Sequence, residues 1–132
     1  MHRTAALLLV EDNPILQEIV AIVLTEAGHR VTTVANVEQA FAVLEVSRFD
    51  LILTDALVAF SAGKIDYWRT LDALAARAGT ARLVILTAHQ EREFRDFPQH
   101  GFAAILRKPC AIDVLVAAVA AALAPREAVM SV

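Results

Sequence analysis

The sequence predicts an α/β fold built on a parallel sheet, because short apolar runs alternate with helical patterns along its 132 residues. The apolar runs lack a regular polar alternation, which is typical of strands that are covered on both faces. The hydrophobic content of 58% is enough for a full core. Four runs carry this prediction: 7–10, 51–54, 83–86 and 105–107. Helices that connect parallel strands lie on both faces of the sheet.

The first half of the chain predicts two strands and two helices. After the first run, Asn13 is suited to cap a helix and Pro14 to occupy its first position. Apolar residues then recur at spacings of three and four until Gly28, where this helix should stop. They are Ile15, Leu16, Ile19, Val20, Val23 and Leu24. Residues 31–34 predict a second strand, whose threonines favour a place at or near an edge. Residues 37–46 predict a second helix, with Ala40, Phe41 and Leu44 inward.

The second half continues the alternation. A third helix is predicted to hold Ile65, Trp68, Leu71 and Leu74 and to close near Gly79. The polar segment 90–99 contains Pro98, so a helix there should be short or irregular. The last helix is predicted over 111–124. Five parallel strands joined in this way favour the order 2-1-3-4-5, the flavodoxin-like doubly wound arrangement.

Composition limits the class of protein. A chain of this length fits one domain, expected over residues 1–124, with a short tail over 125–132. The net charge of −3 without a basic run argues against direct nucleic-acid binding. No signal peptide and no membrane span is expected. The single Cys110 excludes an internal disulfide and fits a cytoplasmic protein.

Reactive side chains follow the buried runs and should meet at the carboxyl edge of the sheet. The acids are Glu11, Asp12 and Asp55, followed by the Thr87 hydroxyl and the Lys108 ammonium. Clustered carboxylates repel one another unless a cation joins them, and Mg²⁺ prefers such oxygen ligands. We expect Asp12 and Asp55 as direct ligands, with Glu11 acting through water and the carbonyl of Leu57 as a further ligand. A carboxylate can accept a phosphoryl group as an acyl phosphate, and Asp55 is the candidate for this role.

The segments Val10-Glu11-Asp12-Asn13, Leu53-Thr54-Asp55, Leu86-Thr87-Ala88 and Lys108-Pro109 resemble the motifs of the receiver domain of two-component response regulators. The resemblance covers about residues 5–124 and implies a stand-alone, single-domain receiver. It implies that Asp55 takes phosphate from a histidine kinase or phosphotransfer protein, and that Glu11 and Asp12 hold Mg²⁺ (or Mn²⁺). It also implies that Thr87, Ala88 and Lys108 contact the phosphoryl group and that the peptide before Pro109 is cis.

Several positions depart from the family pattern. The loop after Asp55 has Ala59 where the family usually has proline, and the aromatic switch position holds Ile105. An aliphatic side chain cannot perform the usual ring flip, so we expect an atypical readout. Leu57 and His89 flank the approach of a hydrolytic water, which makes them candidates for tuning the lifetime of the acyl phosphate.

Three further readings stay open. The chain could be an unphosphorylated interaction module on the same scaffold. It could also be an aspartyl-phosphate hydrolase, although Leu57 occupies the place where that class has a second acid. The uncharged last helix, 114–124, could support a homodimer, since apolar surface without charge favours a partner. The downstream partner and the pathway cannot be named from the sequence.

Overall fold

The computed structural model describes residues 4–55, 67–87, 103–108 and 110–124. Within these ranges, the side chains of Asp55, residues 67–70 and Thr87 are not described.

The five strands form one parallel sheet in the order β2-β1-β3-β4-β5, as predicted. The strands are β1 Ala6–Val10, β2 Arg30–Val34, β3 Leu51–Asp55, β4 Arg82–Thr87 and β5 Ala104–Arg107. The prediction that the threonine-containing strand lies at an edge is confirmed, because β2 pairs only with β1 among the described strands. Its residues Thr32 and Thr33 are exposed, as expected for side chains on an edge strand.

Three described helices connect successive strands, namely α1 Pro14–Glu26, α2 Val37–Val46 and α3 Tyr67–Arg77, and a fourth, α4 Ile112–Leu123, follows β5. The predicted cap of α1 is confirmed, since the Asn13 side chain accepts hydrogen bonds from the backbone N–H groups of Ile15 and Leu16. Gly28 follows α1 with a φ of 103°, a conformation that favours glycine. The boundaries of α4 lie one residue inside the predicted range at each end. Ile65, expected in the third helix, lies outside the described residues.

The core has one layer on each face of the sheet, because successive side chains of a strand point to opposite faces. Leu8 and Val10 of β1 pack on the face covered by α2 and α3, whereas Leu7 and Leu9 pack on the face covered by α1 and α4. The residues predicted to point inward follow this division. Ala40, Leu71 and Leu74 are buried, and Phe41 and Leu44 are partly buried against the α2/α3 layer.

The apolar pattern of α1 is wider than the strip that the helix buries. Val20 and Leu24 are buried, but Ile15 is 71% exposed and Ile19 48% exposed. The helix therefore forms as its periodicity predicts, while two of the residues that define this periodicity face solvent. Periodicity determines which residues share a face, but the rotation of the helix on the sheet depends on packing against β1, β2 and α4.

Candidate functional site

The strand register brings the ends of β3, β4 and β5 side by side at the carboxyl edge. Asp55, the last residue of β3, pairs with Leu86, and Thr87 at the end of β4 pairs with Arg107. Lys108 follows directly after β5. On the other side of β3, Val10 pairs with Thr54, so that Glu11 lies next to the end of β3. The backbone positions of Glu11, Asp55, Thr87 and Lys108 therefore lie along one edge of the sheet.

An ion pair joins the two outer ends of this site. The Lys108 Nζ atom lies 3.1 Å from the Glu11 Oε1 atom. Since β3 and β4 stand between β1 and β5, the two backbones are about 14 Å apart at the usual strand spacing. Both side chains must extend inward to meet, which puts the ammonium group over the ends of β3 and β4. This is where Asp55 and Thr87 end their strands.

Glu11 is held firmly within the protein. Only 1% of its surface is exposed, compared with 18% of the Lys108 side chain. While Oε1 accepts from Lys108, Oε2 accepts a hydrogen bond of 3.1 Å from the backbone N–H of Asn13. Burying a carboxylate is costly unless it is paired, and both oxygens are paired here. The arrangement makes Glu11 the counter-ion of Lys108.

Asp12 differs from Glu11 in its exposure to solvent and in its lack of a side-chain partner among the described residues. Its side chain is exposed and has no hydrogen bond or ion pair with any other part of the chain that the structure describes. Its neighbours are fixed, since Glu11 is buried and Asn13 caps α1. The result is a carboxylate on a fixed turn whose oxygens remain available to a ligand.

The side chain of Gln17 stabilises this turn, a role that no motif in the sequence predicts. Its Nε2 atom donates to the backbone carbonyls of Glu11 and Val34, each at 3.1 Å. The Glu11 N–H donates to the same Val34 carbonyl, also at 3.1 Å. Gln17 lies one helical turn after Asn13, a spacing that could have drawn attention to it.

Several predicted site residues lie outside the described residues: Leu57, Ala88, His89 and Pro109. Among the described side chains, no group of three histidine, cysteine, aspartate or glutamate residues could hold a metal ion. A three-carboxylate site needs the side chain of Asp55, which is not described. The donors that can be assessed are carboxylate oxygens, the ligand type that Mg²⁺ prefers. The carboxylates of the described residues are therefore suitable ligands for Mg²⁺, and the exposed carboxylate of Asp12 is available to bind it.

Ile105, the predicted switch position, is partly buried and packs against the α2/α3 layer of the core. In the sheet it pairs with Ile85 of β4, which is fully buried. The position lies two residues before the end of β5, and so it connects the carboxyl edge to the core under α2 and α3.

Cys110 is half-buried at the edge of the α1/α4 layer. Burial raises the pKa of its thiol, and the nearby Asp113 carboxylate raises it further. The thiol is therefore protonated at neutral pH, which makes it a weak nucleophile.

The comparison with known families decides the class of the protein. The family model described as the response regulator receiver domain matches residues 7–120. The chain belongs to this family. Receiver domains are generally phosphoacceptors of two-component systems and are not classical enzymes. The match covers all of the sheet except Ala6, together with most of α4, so all described parts of the site lie within it.

Solved structures agree with this assignment of the receiver domain. The receiver domain of the sensor histidine kinase PA1611 from Pseudomonas aeruginosa PAO1 is 30% identical, with a TM-score of 0.67, and the match covers 86% of this chain and 92% of that one. Its structure contains a magnesium ion in the active-site cleft. The chemotaxis response regulator CheY4 of Vibrio cholerae is 22% identical, with a TM-score of 0.77, over 92% of this chain and 100% of that one.

A response regulator from Thermotoga maritima shares the same fold at 19% identity, with a TM-score of 0.78, over 92% of this chain and 98% of that one. No curated protein sequence gives a match. Within the described residues, no helix of this receiver has the length and apolar character needed to cross a bilayer.

Proposed function

We propose that this receiver domain accepts a phosphoryl group on Asp55 and changes its binding to other proteins in response. The observation that carries the proposal is the Lys108–Glu11 contact of 3.1 Å, which holds an ammonium group over the strand ends where Asp55 and Thr87 lie. Phosphoryl transfer depends mainly on positioning and on neutralising charge, and the Lys108 ammonium provides one of the required positive charges.

The donor would be a phosphohistidine of a histidine kinase or of a phosphotransfer protein. A carboxylate oxygen of Asp55 attacks the phosphorus atom, forming a phosphorus–oxygen bond while the phosphorus–nitrogen bond of the donor breaks. The electron pair of the broken bond goes to the imidazole nitrogen, which takes up a proton. The Lys108 ammonium and the Thr87 hydroxyl would then donate hydrogen bonds to the phosphoryl oxygens, next to the small side chain of Ala88.

The same site would hold Mg²⁺ (or Mn²⁺). Asp12 is the direct ligand best supported by the described residues, because its carboxylate is exposed on a fixed turn. The proposal adds Asp55 and the Leu57 carbonyl as ligands, with Glu11 acting through water. The bound cation would supply positive charge to the phosphoryl group on the side opposite Lys108. Magnesium in the cleft of the PA1611 receiver supports this assignment.

The readout of the phosphorylated state would differ from the common aromatic switch. Ile105 occupies the switch position, is partly buried and cannot flip a ring between exposed and buried rotamers. Any change at Thr87 would therefore reach the downstream protein through loop reordering and shifts in core packing. The downstream partner is expected to be a protein, reached in the cytoplasm. The cis peptide before Pro109 and the division into a domain of 1–124 and a tail of 125–132 remain predictions.

The decisive experiment is incubation with acetyl phosphate and Mg²⁺, followed by intact-mass measurement. The expected product carries one phosphoryl group, which is absent when EDTA replaces Mg²⁺ and in the variant Asp55→Asn. Lys108→Met should lower the yield strongly, whereas Arg107→Met, which removes an exposed positive charge at the neighbouring position, should not. An unmodified mass in all samples would favour an unphosphorylated interaction module. Turnover of a generic phosphomonoester would favour the hydrolase.

The exposed side of α4 favours a homodimer as a further part of the proposal. Ile112 is 59% exposed and Val114 is 50% exposed, and the helix also exposes Ala117, Ala120 and Ala121. No charged residue lies between Val114 and Ala124 to oppose the contact of two such helices. Sedimentation at high concentration, with and without a phosphate mimic, should detect a dimer. A monomer under both conditions would exclude this part of the proposal.

A further inference from the structure

We infer that Gln17 is a positioning residue for the metal-binding turn, a role that rests on the proposed binding of Mg²⁺ by Asp12. The turn runs from the end of β1 to the cap of α1 and contains Glu11, Asp12 and Asn13. Asp12 has no side-chain partner in the described part of the chain. Its position is therefore set by the backbone on either side of it.

Gln17 fixes the first half of this backbone. Both hydrogens of its amide group are used, one for the Glu11 carbonyl and one for the Val34 carbonyl. The carbonyl of Glu11 is the group that leads directly into Asp12. By holding it together with Val34 at the end of β2, the side chain ties three elements together: β1, β2 and the first turn of α1.

The second half of the turn is fixed by other groups. The Asn13 N–H donates to the Glu11 Oε2 atom, and the Asn13 carbonyl accepts from the Gln17 N–H at 2.9 Å. Gln17 thus contacts both ends of the turn, through its side chain at Glu11 and through its backbone at Asn13. A substitution that removes only the side-chain donors releases one end and leaves the other in place.

The release should weaken metal binding without abolishing the fold. A ligand binds only the fraction of molecules whose site is already in the competent arrangement, so its apparent dissociation constant rises as this fraction falls. If the freed turn keeps the competent arrangement in about a tenth of molecules, the Mg²⁺ dissociation constant rises about tenfold. Gln17→Met is the suitable variant, because methionine has a similar length and no donor.

Gln39 provides a matched control on the same edge of the sheet. Its side chain accepts a hydrogen bond of 2.7 Å from the Ala35 N–H, in the turn between β2 and α2. Gln39→Met removes one hydrogen bond between a side chain and the backbone, in which the Gln39 amide oxygen is the acceptor, from a turn that carries no acid of the proposed metal site. Both variants should lose some stability, but only Gln17→Met should lose affinity for Mg²⁺.

The experiment is a titration of the full chain with Mg²⁺, followed by the backbone amide NMR signals of Glu11, Asp12 and Asn13. Thermal midpoints are measured in parallel. The inference is supported by a rise of about tenfold in the dissociation constant for Gln17→Met and a change of less than about twofold for Gln39→Met. It is overturned if the two variants bind Mg²⁺ equally well, or if their affinities simply follow their midpoints.

Two measurements without added metal separate this inference from the proposed function. In the wild-type chain the side-chain amide protons of Gln17 should exchange with water more slowly than those of Gln39. This comparison needs only the wild-type protein, so it can be made even if Gln17→Met fails to fold. In a folded Gln17→Met variant the Glu11 amide should exchange faster than in Gln39→Met. Equal exchange in these comparisons would refute the bracing role. Wild-type signals that do not respond to Mg²⁺ or Mn²⁺ would refute the metal site. The exchange data would still test whether Gln17 stabilises the turn.

Discussion

The buried ion pair between Glu11 and Lys108 leads to a quantitative prediction about stability. Removing the cation alone leaves a carboxylate that is 1% exposed without its charged partner, which typically costs about 3 kcal/mol or more. Removing the charge of the acid is milder, because glutamine at position 11 still offers an oxygen to the Asn13 N–H. We therefore expect Lys108→Met to lower the free energy of unfolding by about 3 kcal/mol and Glu11→Gln by about 1 kcal/mol.

The distance between the two charges sets the size of their coupling. At 3.1 Å the attraction is about 5 kcal/mol before desolvation is subtracted, for the effective dielectric constant of about 20 that suits protein charges. Desolvation offsets more than half of this, because net values for hydrogen bonds to charged groups are about 1.5–3 kcal/mol. We expect a coupling free energy of about 2 kcal/mol, so that Lys108→Met costs only about 1 kcal/mol once Glu11 is already glutamine.

The assay is urea unfolding followed by circular dichroism, in EDTA, for the wild type, both single variants and the double variant. A double-mutant cycle is needed because Glu11 and Lys108 each make a further interaction, whose contribution cancels in the cycle. Arg107→Met serves as the control, since it removes an exposed positive charge one residue earlier and should change stability by less than about 0.5 kcal/mol. Additive losses within about 0.5 kcal/mol would refute the buried pair.

Three further predictions concern other parts of the receiver. His29→Phe should lower the free energy of unfolding by about 2 kcal/mol, because the N–H of buried Ala5 loses its acceptor, the His29 Nδ1 atom at 3.3 Å. His29→Asn keeps an acceptor and should lose less. Equal losses of the two variants in urea unfolding would contradict this reasoning. Since burial and Asp113 raise the pKa of Cys110, alkylation by iodoacetamide at pH 7 should be slower than for a cysteine in an unfolded peptide. The Cys110 thiol of the unfolded chain ionises at a lower pH than that of the folded chain, so the free energy of unfolding should fall as the pH rises above about 8.5. A free energy of unfolding that does not change between pH 8 and pH 10 would contradict the raised pKa. Leu57→Asn should accelerate loss of the phosphoryl group, measured by intact mass over time, and an unchanged or slower rate would argue against a role for Leu57 in tuning.

The sheet could be predicted because its signal is local. Each strand that is buried on both faces is a short run of aliphatic residues, and the sequence between Val10 and Pro14 contains both the end of β1 and the cap of α1. The edge position of β2 followed from its threonines. The order of acids, hydroxyl and lysine behind these strands was enough to predict the receiver family, which the family match over residues 7–120 confirms.

The role of Glu11 could not be read in the same way. The sequence offered it as an acid near a cation, whereas the structure buries it and pairs it with a lysine 97 positions away. Whether a carboxylate at a strand end faces solvent or the protein depends on the side chains that arrive from distant strands. No local pattern contains that information.

The sequence by itself determined the strands, the helices and the edge at which the reactive residues gather, because these follow from short-range periodicity and residue identity. It also indicated the family, through the resemblance of the motifs at the strand ends. The tertiary structure alone decided that Asp12 is exposed while Glu11 is buried, that Gln17 braces the turn between them and α1, and that Ile15 and Ile19 face solvent. The physical reason is that burial and hydrogen-bond partners are set by the rotation and distance of packed elements. Residues far apart along the chain fix that geometry together.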